Sequence, residues 1–277
     1  PWPGPDELRA ILRGRAEALL AEEGVTLPGL ARALAATALP LVEAAGRIDW
    51  AIDPEEDAGA DAGGPSVLAA EVEGSLAVAD AAGRTRELRF RADRVDRVSG
   101  RRAATLRLTD YKTGRPISDR KLETTRRSHF LQDVQAGRRL QAVAYALAAA
   151  GGGLGGPDAL GRYLFLRPDL APEHREFEVW ARSVPFADAF RSAVAAAIEA
   201  WDWGAFFPRL VEPDRDQEPS RCRFCDVHEA CLRGDSGARR RLGSWAAART
   251  QPSLEEALSP AEVALLRLWT LPSKESS

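Results

Sequence analysis

Methionine is absent from the 277 residues, and histidine and cysteine occur three times each. A chain that opens on Pro1 and holds no methionine does not read as a nascent product, and we expect a fragment of a longer protein. No apolar run reaches the roughly eighteen residues that span a bilayer, and no basic n-region followed by an apolar h-region marks a signal peptide. Neither a membrane span nor a membrane partner is therefore expected, and the chain reads as cytoplasmic. The scarcity of cysteine points the same way. All three, Cys222, Cys225 and Cys231, fall within ten residues. An odd number clustered so tightly excludes a secreted disulfide framework and reads as metal or cluster ligation in a reducing compartment. No internal repeat is present.

What the chain does have is an uneven distribution of charge. The net charge is −3, yet residues 84–127 carry 15 Lys/Arg against 6 Asp/Glu, a local +9 that leaves −12 for the remainder. Such asymmetry points to a phosphate-rich ligand more strongly than the total does. The plainer reading is a set of solvated arginines on hairpin edges.

Apolar residues at helical spacing predict helices over 5–23 and 27–46, with Pro40 breaking or kinking the second. The acidic, glycine-rich stretch 53–65 reads as a loop. Strand patterns follow at 66–79, 86–98 and 103–112, with turns at Gly83 and Gly100. A helix is expected over about 132–150, ending in a glycine cluster. Strands at 161–168 and 176–184 and a helix at 186–203 come next. A last helix is capped by Ser259, with Pro260 at its first position and Glu262 completing a capping box. The predicted fold is α/β with the order αβββαβ, a central mixed sheet flanked by helices. Along the chain this gives N-terminal helices and an acidic loop at 1–65, a core at 66–205 and a cysteine segment with a C-terminal helix at 206–277, together one compact domain.

The stretch LRLTDYKTG, residues 106–114, is where chemistry enters. Alternation places Leu106, Leu108, Asp110 and Lys112 on one strand face, so an apolar face turns charged just before the break at Gly114. The preceding strand offers Asp93 and Asp96, and antiparallel pairing brings Asp93 toward Asp110. By parity Asp93 shares a face with Arg89 and Arg91 rather than with Phe90 and Ala92, and a bulge near Asp93 is needed to correct this. Two carboxylates suit Mg²⁺ or Mn²⁺, which keep several waters and also bind phosphate oxygens. A lysine beside them can orient or deprotonate a water. On spacing alone the Asp110–Lys112 pair reads equally as a surface ion pair.

The combination carries more. ADRVD (92–96), then LTDYKTG (108–114), then LQAVAYA (140–146) resembles the RecB-like branch of the PD-(D/E)XK nucleases. The resemblance covers residues 66–232 or so. It implies Asp93 and Asp110 as metal-binding acids, the Tyr111 carbonyl as a further ligand, and Lys112 as the catalytic lysine. It also implies Gln141 and Tyr145 as active-site groups of the following helix; a buried tyrosine and a capping glutamine would look the same in sequence. Phe90, Ala92 and Ala142 stand where the family has Gly, Ile and Leu. The branch also carries an upstream histidine, and here His129, His174 and His228 all follow the strands. Glu71 and Glu73 on the first strand are weighed as further acids at the metal or its water, and Arg115, Arg126 and Arg127 as DNA contacts beside Glu71. His129 reads as a loop or phosphate-contacting residue, and His174 as exposed.

Residues 222–231, CRFCDVHEAC, space their cysteines as C-x2-C-x5-C. Such thiolates can hold an iron–sulfur cluster, or with His228 a Cys3His zinc site; free thiols are the third reading. The segment resembles in particular the nuclease domain of AddB-type helicase–nuclease subunits, which implies a 4Fe–4S cluster completed by an upstream cysteine. The same resemblance implies a Mg²⁺-dependent DNA exonuclease acting on single-stranded ends in double-strand-break repair, with the helicase subunit of an AddAB-type complex as partner. Two other readings stand beside it: an inactive nuclease-like DNA-binding scaffold, and a free-standing RecB-like nuclease of CRISPR adaptation.

Overall fold

The computed structural model describes residues 2–50, 65–80, 82–99, 104–152, 159–205, 235–249 and 258–272, with Cys222, Cys225, Asp226, Glu229 and Cys231. The predicted acidic loop, the turn at Gly100, most of the glycine cluster after residue 150, and His228 lie outside these residues. Helices α1 (Pro5–Glu22) and α2 (Leu30–Asp49) precede strands β1 (Ser66–Ala79), β2 (Thr85–Ser99) and β3 (Ala104–Lys112). Helices α3 (Glu123–Gln135) and α4 (Gln141–Gly151) lead to β4 (Leu160–Phe165) and β5 (Glu176–Trp180), and α5 (Val184–Asp202), α6 (Ser236–Arg249) and α7 (Pro260–Trp269) follow. The five strands form one mixed sheet in sequence order, with β2–β3 and β4–β5 antiparallel and β3–β4 parallel. This is the α/β sheet flanked by helices that the sequence predicts.

The chain divides into two compact units. The first comprises Pro1–Gly74, Phe90–Arg127 and Gln141–Arg182, and contains the sheet centre with α1, α2 and α4. Its two sheet faces are covered by different helices. On one, Leu41, Ala45 and Ile48 of α2 pack against Tyr111, Leu164 and Leu166. On the other, Tyr145 and Ala149 of α4 pack against Phe90, Ala92, Val95, Leu106 and Leu108. Alternate residues of β3 thus serve opposite helices, as strand geometry demands. Pro40 lies inside α2 without ending it. An interior proline costs a helix about 3 kcal/mol. That cost is met by the packing of Leu41, Ala45 and Ile48 on the sheet and by Asp49, which anchors the last turn.

The seat of α4 depends on one glycine. A Cβ on Gly161 would stand 1.6 Å from the carbonyl oxygen of Ala142 and 2.6 Å from its carbon. The obstacle is backbone, so a side chain at 161 displaces α4 itself. Gly161→Ala is expected to cost about 3 kcal/mol, the upper end for overpacking, read as a lowered urea midpoint.

The second unit, Ser75–Arg89, Ser128–Leu140 and Ser183–Ser277, holds the β1–β2 turn, the end of α3, and α5 to α7. In the turn, Asp80 is bonded by Arg84 and Arg86, which also reach Asp202 of α5. Ala246, Leu266 and Trp269 form a small core between α6 and α7. The predicted capping box at Ser259 and Glu262 is present.

Two local expectations are corrected, and one helix is added. The helix expected over 132–150 is two helices, because Gly137 adopts φ 70° and the Arg138 N–H reaches back to the Asp133 carbonyl at 2.7 Å. That five-residue return closes a Schellman-type end. Helix α4 therefore starts at Gln141. The strand expected at 176–184 stops at Trp180, since α5 begins at Val184 with Ser183 in the N-cap position and Pro185 in its first turn. Helix α6, rich in arginine and weakly patterned, was not anticipated.

Candidate active site

Four elements of the first unit converge where β3 ends. Thr109 faces Arg94 in the last ladder pair between β2 and β3. Beyond that pair the backbone alternation of β2 slips. Ala92 lies in the α4-facing core, and so does Val95 three residues later. Residues three apart on a regular strand face opposite ways, so an irregularity lies between them, as the parity of Asp93 requires. Asp93 is turned toward β3, and its Oδ2 accepts from the Tyr111 N–H at 2.6 Å. N–H and C=O of one strand residue point to the same side, so the Tyr111 carbonyl is directed toward β2 as well.

Asp110 lies on the α4 face, almost fully buried. Lys112 Nζ stands 2.5 Å from its Oδ2 and donates to Gln141 Oε1 at 3.1 Å. The ammonium also lies 5.6 Å from the centroid of the Tyr163 ring, and Tyr163 is the neighbour of Asp110 in β4. Tyr145, fully buried, donates to the Arg91 carbonyl at 2.6 Å and lies 3.4 Å from Asp110 Oδ1. Gln141 and Tyr145, four apart on α4, hold the lysine and the acid respectively. The tyrosine is at once a core residue and a neighbour of Asp110.

The electrostatics follow from burial. Desolvation raises the Asp110 carboxyl above its ordinary value, Lys112 opposes this by hydrogen bond and charge, and the nearby negative charge of Asp93 adds to the rise. Burial and then Asp110 push the Tyr145 phenol up, so it stays a donor. Two carboxylates whose charges repel, one of them almost fully buried, suit a hard cation. Among the described residues no three His, Cys, Asp or Glu side chains converge to hold a metal. A cation at this place would take Asp93, Asp110, the Tyr111 carbonyl and water.

Other predicted residues fall elsewhere. Glu71 pairs with Arg91 at 2.7 Å, both largely exposed, and takes φ 54° in the middle of β1; it does not form a metal group with the two aspartates. Arg126 donates to the carbonyls of Arg120 and Lys121, fastening the loop after β3. Arg115 and Arg127 are exposed. Part of the local positive charge is committed: buried Arg94 and half-buried Arg107 pair with Asp49 and Asp96, and the more exposed Arg84 and Arg86 pair with Asp80 and Asp202. Cys222, Cys225 and Cys231 are half-buried, and among the described residues they belong to no group of His, Cys, Asp or Glu that could hold a metal, so the cluster expected from their spacing gains no support from their placement.

Sequence reasoning missed the network behind the site. Asp49, at the end of α2, accepts from Arg162 at 2.7 and 3.0 Å, from Arg107 at 3.1 Å, and from Arg94. Arg162 has no exposed surface and also bonds Thr109 and Glu176. The signal was a charge inside GRYLFL, a segment that otherwise reads as a buried strand: such a charge must be paired.

The family model of the PD-(D/E)XK nuclease superfamily matches residues 3–232. The chain belongs to the PD-(D/E)XK nuclease superfamily. No curated protein matches it.

Proposed function

We propose that this chain is a divalent-metal-dependent DNA exonuclease domain, with Asp93 and Asp110 as acidic ligands, the Tyr111 carbonyl as a third oxygen, and Lys112 as the group that orients a water or offsets charge on phosphate. The observation that carries this reading is the contact set of Lys112: one strand end brings its ammonium against Asp110 and Gln141. Mg²⁺ or Mn²⁺ held there would supply a more acidic water and offset charge on the phosphoryl oxygens. Gln141 holds Lys112 in place, and Tyr145 steadies Asp110 through its buried hydroxyl. Exposed Arg115, three residues past the end of β3, and exposed Arg127 on α3 suit a DNA backbone. The core of this activity is residues 66–205.

The finer assignment is a role in double-strand-break processing on single-stranded ends, within an AddAB-type helicase–nuclease in the cytoplasm. It rests on the run of ADRVD, DYKTG and QAVAY together with C-x2-C-x5-C. A 4Fe–4S cluster, or zinc, at Cys222, Cys225 and Cys231 rests on that spacing alone, and no chemical step here depends on it.

The test is degradation of end-labelled linear single-stranded DNA with Mg²⁺ or Mn²⁺, against EDTA and against a closed circle. Metal-dependent loss of the linear strand with the circle intact is expected. Cleavage of the circle would replace the exonuclease by an endonuclease. Binding without any metal-dependent cleavage would favour the scaffold reading.

A further inference from the structure

The Arg94 guanidinium works on the opposite sheet face from the carboxylates, yet it is tied to both. Along the chain it follows Asp93 directly. It donates to Tyr111 Oη at 2.6 Å and to Asp96 Oδ2 at 2.8 Å, and it pairs with Asp49. It lies over the rings of Trp50 and Tyr111, 5.3 and 5.6 Å from their centroids. Tyr111 in turn sits between Asp110 and Lys112, and its N–H binds the Asp93 carboxylate. The result is a closed ring: Asp93, the Arg94 guanidinium, the Tyr111 side chain, the Tyr111 backbone, and Asp93 again.

The ring stands where it is needed. The β2–β3 ladder ends at Arg94 and Thr109, so the two acids lie just beyond the last backbone pair. Past that point the strands are joined by the Arg94–Tyr111 bond on one side and the Tyr111–Asp93 bond on the other. Asp49 is itself gripped by Arg162 and Arg107, so Arg94 is held at a fixed depth under β3. Arginine suits the task because its planar fork serves several acceptors at once while stacking on rings.

We propose that Arg94 is a positioning residue for the metal site: acting through Tyr111, it sets the spacing of Asp93 and Asp110 without touching metal or DNA. This rests on the metal-dependent reading above. The experiment is calorimetric titration of Mn²⁺ into the DNA-free chain, with a urea midpoint measured for each protein. Tyr111→Phe deletes only the hydroxyl and leaves the main-chain carbonyl and the Arg94 bonds to Asp49 and Asp96. Loss of an orienting partner behind a ligand typically weakens metal binding about 10- to 100-fold. Tyr111→Phe is expected to weaken Mn²⁺ binding about 10-fold with its urea midpoint close to that of the parent, and Arg94→Lys to weaken it further.

Asp110→Asn is the reference for the site itself. If the parent binds Mn²⁺, Asp110→Asn abolishes binding, and Tyr111→Phe binds as the parent does, the positioning role is overturned while the metal reading stands. If the parent shows no binding sensitive to Asp110→Asn, the metal reading fails and this proposal with it. Should Arg94→Lys fail to fold, Tyr111→Phe decides alone.

Discussion

Replacing Lys112 by alanine is expected to slow metal-dependent DNA cleavage by about 10³-fold, within the 10²- to 10⁴-fold range of a positioned proton-transfer group. The same position would stabilise charge on the phosphoryl oxygens, a contribution of comparable size. The fold should survive, because the side chain stands partly exposed at the end of β3 and its bonds are polar ones to Asp110 and Gln141. A second effect has a definite sign. Burial raises the Asp110 carboxyl and Lys112 opposes the rise; with the ammonium gone, the carboxyl rises further and takes up its proton at higher pH. The acid limb of the residual activity should therefore move to higher pH in Lys112→Ala. Asp110→Asn should abolish cleavage at any pH, since it removes a charge that no neighbouring side chain replaces. The rate of strand loss measured across pH at sub-saturating Mn²⁺, where proton and metal compete for the Asp110 carboxylate, checks all three. An unchanged rate in Lys112→Ala would remove the lysine from the chemistry.

The sheet and the site differed in how much the sequence revealed. Strands β1 to β3 were legible because alternation and turn residues agree there, and Asp110 with Lys112 fell on the face that parity assigned. Asp93 required an irregularity that only the parity conflict announced, and the switch between Ala92 and Val95 resolves it. The end of α3 was missed because the apolar periodicity of 132–150 runs through Gly137, whereas the left-handed φ there depends on one residue type. The local charge excess misled differently. Counting arginines says nothing of their partners, and here four of those on β2, β3 and the preceding turn neutralise Asp49, Asp80, Asp96 and Asp202. Long-range pairs of this kind leave no periodic trace, since Asp49 and Arg162 are 113 residues apart.

Asp49→Ala is expected to be the most destabilising single substitution in the first unit. It removes the shared acceptor of Arg94, Arg107 and Arg162. Arg94 and Arg107 retain Asp96 and Arg162 retains Glu176, yet Arg162 has no exposed surface through which water could take over. Breaking a buried pair by deleting one member costs about 3–5 kcal/mol, because the remaining charge is left uncompensated. The pH dependence gives a second signature. Burial alone would raise the Asp49 carboxyl, but hydrogen bonds and charge from Arg162 and Arg94 hold it down to about 2, against an ordinary 3.8. Below about pH 4 the unfolded chain therefore binds a proton that the folded chain refuses. The contribution is present in full above that pH and is lost as the pH falls toward 2, amounting to roughly 2 kcal/mol for a shift of this size. Asp49→Ala should thus unfold at lower urea near neutral pH and lose less additional stability between pH 4 and 2 than the parent. Parallel acid limbs in the two proteins would show that the arginines find their counter-charge elsewhere.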